Sequence, residues 1–336
     1  MKINKISKAG GCGCKMSPLQ LNEFLNGLTE NQDLLNNNED CSVISIDKEN
    51  YLLKSLDFFT PVVEDPYTYG KAAAANALSD IYAKGGEPIM IQSIVGWPTD
   101  ILSIKTLREV FKGANKICEE SNLSISGGHT IISKEPIFGL SITGIVKKVN
   151  FKPNNNLNDG DLIFTTKPIG TGVLSTTQKL DKLDVEGTKI LYETISKSNI
   201  IGIKISKLEY VKSVTDITGF GLLCHLLEMT STNKVKIKLM KDNIPFIPES
   251  LKYLNLGIET SGGKRNRQYF EKHQQSNGFS GLYFDPQSNG GLAVVVNKKD
   301  KLKFVDFLIK NNLSKHINPI ASVINENNKL PTFSFY

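Results

Sequence analysis

The alanine-rich run Tyr69–Lys84, stopped by Gly85-Gly86, sets a helix in the first half of the chain, because good helix formers end there at a glycine pair. Strand-length apolar runs surround it. Ser42–Ile46 and Tyr51–Leu56 flank the polar turn Asp47–Asn50 and read as a hairpin, and Pro88–Val95 and Phe138–Val146 read as buried strands. Ser103–Glu120 carries Leu107, Val110, Phe111, Ala114 and Ile117 at helical spacing. The polar, asparagine-rich Asn150–Gly160 then marks a boundary.

Beyond it the same mixture returns. Asp161–Thr165, Val211–Thr215, Gly291–Val296 and the closing Ile320–Ile324 read as strands. Helices are expected after Gly170-Thr171-Gly172, as one long element over Gly187–Ser206, over Leu222–Met229 and over Lys301–Asn311. At 336 residues, with 40% apolar and 22% charged, the chain can bury two cores. The expected fold class is therefore mixed α/β (α+β), with two α/β domains over 41–150 and 151–336 behind a mobile glycine- and cysteine-containing segment, 1–40. Periodicity leaves the strand order open.

Charge and cysteine usage narrow the function. The net charge of +6 is spread out, with no long Lys/Arg block and no aromatic–basic interleaving, which argues against nucleic acid. No apolar run reaches the length of a membrane span, and the three lysines of Met1–Gly10 have no apolar stretch behind them as a secretory signal would. Five cysteines, an odd number, favour reduced thiols in a cytoplasmic protein.

Three groups of residues could carry chemistry. In Gly10-Gly11-Cys12-Gly13-Cys14-Lys15 the glycines leave Cys12 nothing to bury against, so it should be exposed. The Lys15 ammonium would favour a thiolate nearby. Read alone, the segment is equally compatible with a functionless terminus, and its spacing is poor for zinc. The second group is Asp40, Asp57, Asp80 and Asp216, hard oxygen ligands suited to Mg²⁺ and phosphate. Asn76 and Asp80 share a helix face, and the alanines around them would let a polyphosphate approach. Each acid could equally cap a turn or face solvent. Third come the glycine turns Gly127-Gly128-His129-Thr130, Gly170-Thr171-Gly172, Gly219-Phe220-Gly221 and Gly290-Gly291, which can aim backbone N–H groups at phosphate. No P-loop or protein-kinase motif is present.

Together these segments resemble the selenophosphate synthetases (selenide, water dikinases) of the aminoimidazole ribonucleotide synthetase-like superfamily. The resemblance spans nearly the whole chain. It includes Gly11-Cys12-Gly13-Cys14-Lys15, Asp57-Phe58-Phe59-Thr60-Pro61, Asn76-Ala77-Leu78-Ser79-Asp80-Ile81, Gly96-Trp97-Pro98, Ser126-Gly127-Gly128-His129, Thr215-Asp216-Ile217-Thr218-Gly219-Phe220-Gly221 and Asp285-Pro286-Gln287. The cysteine segment is the part that points to selenium.

The resemblance implies synthesis of selenophosphate, AMP and orthophosphate from ATP, selenide and water. It implies Cys12 as the reactive position and Lys15 as a catalytic and ATP-contacting residue. Asp40, Asp80 and Asp216 match Mg²⁺ ligands. Asp57, Asp80 and the loop Asn37-Asn38-Glu39 match ATP contacts. Gly128, His129 and Thr130 match a loop given to ATP by the other subunit of a homodimer that pairs through the N-terminal sheet domains. Selenide would arrive free or from a selenium-delivery protein. Glu39 departs from the family's usual Asp, Cys41 replaces a small residue, and Ser288-Asn289-Gly290-Gly291 replaces Thr-Ser-Gly-Gly. The competing readings are another ATP-dependent phosphotransferase of the same superfamily and a non-catalytic thiol protein binding selenium or metal.

Overall fold

The structure, a computed structural model, describes residues 2–7, 10–16, 18–25, 39–230, 235–274, 278–325 and 333–335. Asn37 and Asn38 lie outside the described residues. The first half runs α1 (Pro18–Leu25), β1 (Ser42–Ser45), β2 (Asn50–Phe59), α2 (Pro66–Ala83), β3 (Glu87–Trp97), α3 (Ile104–Cys118), β4 (Gly128–Ile132) and β5 (Ile137–Lys147). Its five strands form one sheet in the order β1-β2-β5-β3-β4, antiparallel except for the β3–β4 pair. The expected hairpin turn forms at Asp47, whose carboxylate accepts from the backbone N–H groups of Glu49 and Asn50 at 2.7 Å each.

Asp65 caps α2 by accepting from Thr68 N at 2.7 Å, and Pro66 opens its first turn. The alanine run is small because α2 is enclosed: Ala72 to Ala75 and Ala77 are buried. Two glycines let α2 and α3 approach backbone to backbone. A Cβ on Gly70 would come 1.9 Å from Val110 O, and one on Gly113 would come 1.9 Å from Tyr67 O. Either substitution would force the helices apart.

The second half runs β6 (Leu162–Thr165), α4 (Thr171–Lys179), α5 (Val185–Ser196), α6 (Ile201–Ser206), β7 (Val211–Asp216), α7 (Gly221–Thr230), β8 (Val235–Leu239), α8 (Pro248–Asn255), α9 (Ser261–Phe270), β9 (Leu292–Val296), α10 (Lys301–Lys310), β10 (Ala321–Asn325) and β11 (Phe333–Phe335). Its six-stranded sheet has the order β11-β8-β10-β6-β9-β7. β6 and β9 are buried at every residue, as their unbroken apolar runs require. Ile163, Ala293 and Val295 pack with α7 and Phe270 on one face, while Phe164, Val294 and Val296 pack with Phe304 and Leu308 on the other. The chain thus holds two mixed α/β domains, and α2 touches α5, α6 and β7 of the second.

Several expectations need correcting. The single helix over Gly187–Ser206 is two, α5 and α6, because the residues between them have other partners. Lys197 O accepts from Lys167 Nζ and Asn289 Nδ2, and Asn199 Nδ2 reaches Ser79 Oγ and Gly290 O, both at 2.8 Å. Gly128-His129-Thr130 begins an edge strand, β4, rather than a turn, since β3 supplies it with a ladder. Ile320–Ile324 does not close the fold: β11 follows and pairs parallel to β8.

Candidate active site

The centre of the site follows from two periodicities in register. Four residues along a helix rise about 6 Å and two along a strand about 6.7 Å, so residues i, i+4 of α2 can face residues j, j−2 of β2. Asn76 Nδ2 donates to Asp57 Oδ2 at 2.6 Å, and one turn further on Asp80 accepts a short hydrogen bond from Ser55. The predicted common face of Asn76 and Asp80 is therefore real, and it looks onto β2. Asn289 N donates to Asn76 Oδ1 at 2.8 Å, tying α2 to the turn before β9.

The N-terminal segment lies across this centre. Gly11 N donates to Thr60 O at 2.9 Å, and Cys12 N donates to Ser288 Oγ at 3.1 Å. Arg265 Nη2 holds Gly13 O at 2.9 Å. The expected exposure of Cys12 is overturned: it is 1% exposed, and its Sγ lies 3.1 Å from Asn76 Oδ1. The glycines let the backbone fold in between the domains, so they bury the thiol rather than present it. A Cβ on Gly219 would come 2.9 Å from Cys12 O, which shows how closely the segment is covered. Cys14 is the exposed thiol. Burial pushes the Cys12 thiol up, and the Lys15 charge pulls it only partly back.

Lys15 Nζ pairs with Asp57 Oδ1 at 2.8 Å. Burial acts to lower the Lys15 pKa, but Asp57, Cys12 and Asp80 carry it well above the usual value, so it stays a cation. Asp216, the last residue of β7, and Asp40, just before β1, complete the group. Asp40 Oδ1 accepts from Thr215 Oγ1 at 2.7 Å and Asn154 Nδ2 at 2.9 Å. Burial and then the charges of Asp216, Asp57 and Asp40 raise Asp80 well above the carboxylate range. Burial and Asp40 raise Asp216 to about 6, against the opposing effects of Ser79, His225 and Lys15. Such mutual repulsion calls for a cation.

These residues line one cavity of about 850 Å³, between the two sheets, that includes Lys15, Glu39, Asp40, Asp57, Asp80 and Asp216. Its size is that of a small-molecule site. Asp216 Oδ2 is buried without a hydrogen-bond partner, an orphan that a hard cation would satisfy. Among the described residues no three His, Cys, Asp or Glu side chains converge on one point to hold an ion unaided.

Gly128, His129 and Thr130 do not join the cavity. They are exposed on β4, the edge strand opposite β1, whereas β1 lines the cavity. The sequence reading missed four partners: Ser55, Asn289, His225 and Lys84. His225 Nε2 accepts from Thr218 N at 3.1 Å, and its Nδ1 faces Glu228 Oε2 at 3.2 Å, which holds the Thr218–Phe220 turn at the cavity rim. Only the alternation of β2, which puts Ser55 and Asp57 on one face, could have exposed any of the four.

Two consecutive family matches cover the chain: AIR synthase related protein, N-terminal domain, over residues 38–146, and the corresponding C-terminal domain over 158–330. Solved structures share the fold. AaThiL complexed with AMPPCP and TMP superposes with a TM-score of 0.70 at 16% identity, over 95% of this chain and 93% of that one. Escherichia coli HypE, a hydrogenase maturation protein, gives 0.63 at 16% identity, over 88% and 84%. Fold and cavity thus define a two-domain α/β protein of the AIR synthase type. The selenide, water dikinase of Shewanella baltica strain OS155 is 38% identical over 329 residues, 96% of this chain and 92% of that protein. That of Shewanella sp. strain MR-4 is 38% identical over 316 residues, 92% and 90%. The chain belongs to the selenide, water dikinase family.

Proposed function

We propose that the chain makes selenophosphate from ATP, selenide and water and releases AMP and orthophosphate. The observation that carries this is a buried thiol, Cys12, beside a lysine–carboxylate pair, Lys15–Asp57, at the edge of an acid-lined cavity. ATP would occupy that cavity, with Asp57, Asp80, Glu39, Asn37 and Asn38 as contacts. Asp40, Asp80 and Asp216 would hold Mg²⁺, which when bound supplies positive charge against the phosphates.

This chain's own residues would do the remaining work. Lys15 places an ammonium where charge builds on the transferred phosphoryl oxygens. Asn76 orients both Asp57, through Nδ2, and the Cys12 thiol, through Oδ1. The cover over Cys12 excludes water, so the first transfer reaches selenium before water can compete. The segment around Cys12 would open to admit selenium and close over ATP, against domains spanning 41–150 and 151–336. Whether selenium arrives as free selenide or from a delivery protein, Cys12 would lie beside it during the phosphoryl transfer, with no change in the oxidation state of either atom.

A homodimer is part of this reading. β1 and β4 are opposite edges of one sheet, so Gly128-His129-Thr130 is remote from its own cavity and would serve the partner's. Exposed Leu56, Phe58 and Met90 on the strands, with Ile131 and Ile132 on β4, supply apolar surface for pairing of the N-terminal sheets. Among the described residues no helix is long and apolar enough to cross a membrane. The five free cysteines suit a reducing, cytoplasmic setting.

Measuring AMP release from MgATP with and without selenide tests the proposal. Selenide-dependent AMP supports it. Turnover with another acceptor would favour a different phosphotransferase, and no turnover a thiol-binding protein.

A further inference from the structure

Lys84 follows the last residue of α2 and is fully buried, which a lysine tolerates only among compensating oxygens. Its Nζ lies 2.8 Å from Glu39 Oε2 and 3.2 Å from Asp40 Oδ2. It also donates to Val214 O at 3.0 Å, to Lys152 O at 3.3 Å and, in a short bond, to Asn154 Oδ1. These partners come from separate places: the residues before β1, the connector between the sheets, and β7 two positions before Asp216.

The consequence falls on Asp40. Its Oδ1 already accepts from Thr215 Oγ1 and Asn154 Nδ2, which fills both lone pairs. Oδ2 faces the Lys84 ammonium at 3.2 Å across an ion pair and accepts no hydrogen bond. Asp40 therefore has Oδ2 alone left to ligate a cation. Glu39 is engaged through both oxygens, with Oε2 in the ion pair with Lys84 and Oε1 accepting from Asn154 N at 3.2 Å.

We infer that Lys84 is a positioning residue of the metal site: it aims Asp40 and locks it to the strand that carries Asp216. This rests on the proposed reading of Asp40 and Asp216 as metal-binding carboxylates. Lys84 is not among the residues that line the cavity, and acts through Asp40. Partners that orient a metal ligand typically contribute about 10- to 100-fold in metal affinity.

The test compares wild type, Asp216→Asn, Lys84→Met and the double variant Lys84→Met/Glu39→Gln. Mn²⁺ binding is measured by electron paramagnetic resonance in the presence of AMPPCP, alongside the metal-free melting temperature. Lys84→Met should weaken Mn²⁺ about 10- to 100-fold and lower the melting temperature, because it leaves two buried carboxylates unpaired. The double variant removes one of those charges, so it should regain much of the melting temperature while Mn²⁺ stays weak. Mn²⁺ affinity recovering together with stability would make Lys84 merely structural and overturn the inference. So would wild-type affinity in Lys84→Met while Asp216→Asn is weakened. If Asp216→Asn also binds Mn²⁺ as wild type does, the metal site itself is misassigned and both readings fall.

Discussion

The ammonium of Lys15 lies 2.8 Å from Asp57 Oδ1, so the glycine–cysteine segment is fastened to β2 at the floor of the cavity. Asp57 is held from its other oxygen by Asn76, which also meets the Cys12 thiol. Lys15→Met should lower kcat about 100-fold or more, the size of loss seen when a transition-state charge partner is removed. Steady-state kinetics check this, and activity within threefold of wild type would rule out a catalytic Lys15.

Asp40, Asp80 and Asp216 come from just before β1, the last turn of α2 and the end of β7. Asp→Asn at each should cost at least about 100-fold in turnover, because each loses a negative ligand for the metal, while circular dichroism stays that of the wild type. Retention of activity by all three would remove the shared site.

The two thiols of the N-terminal segment differ in burial, and their reactivity should follow. In nucleotide-free protein, Cys14 should be alkylated by iodoacetamide at least about tenfold faster than Cys12, because Cys12 is buried and its thiol is pushed up. Peptide mapping by mass spectrometry reads both sites at once. Cys12→Ser should nonetheless abolish selenophosphate formation and Cys14→Ser should not. A dead Cys14→Ser beside an active Cys12→Ser would reverse the assignment.

The placement of β4 makes assembly testable. Ile131 and Ile132 are 58% and 79% exposed on the edge strand that carries His129 and Thr130. Light scattering should give a dimer, and Ile132→Asp should shift it toward monomer with loss of turnover. A fully active monomer at assay concentration would contradict a shared site.

Much of this architecture was legible because local signals were strong. The alanine run and the glycine stop gave α2, and the short run Tyr51–Leu56 behind the polar turn Asp47–Asn50 gave most of β2. The acids Asp40, Asp57, Asp80 and Asp216 could be picked out, and they do meet in one cavity. What failed were inferences from local sequence about tertiary contact. Glycines around Cys12 suggested exposure, yet their small size is what lets the segment bury itself between domains. A lysine at the end of α2 carried no signal at all, because its role depends on Glu39, Asp40 and Val214 arriving from elsewhere. The break between α5 and α6 was hidden for the same reason, since Lys197 and Asn199 are recruited by Lys167, Asn289, Ser79 and Gly290.

Phosphorus NMR of a reaction containing the protein, ATP, Mg²⁺ and ⁷⁷Se-labelled selenide separates selenophosphate synthesis from plain ATP hydrolysis. A new phosphorus resonance split by ⁷⁷Se is expected, growing in step with AMP and orthophosphate and absent in Cys12→Ser. Consumption of ATP with no phosphorus–selenium splitting at any time would contradict it.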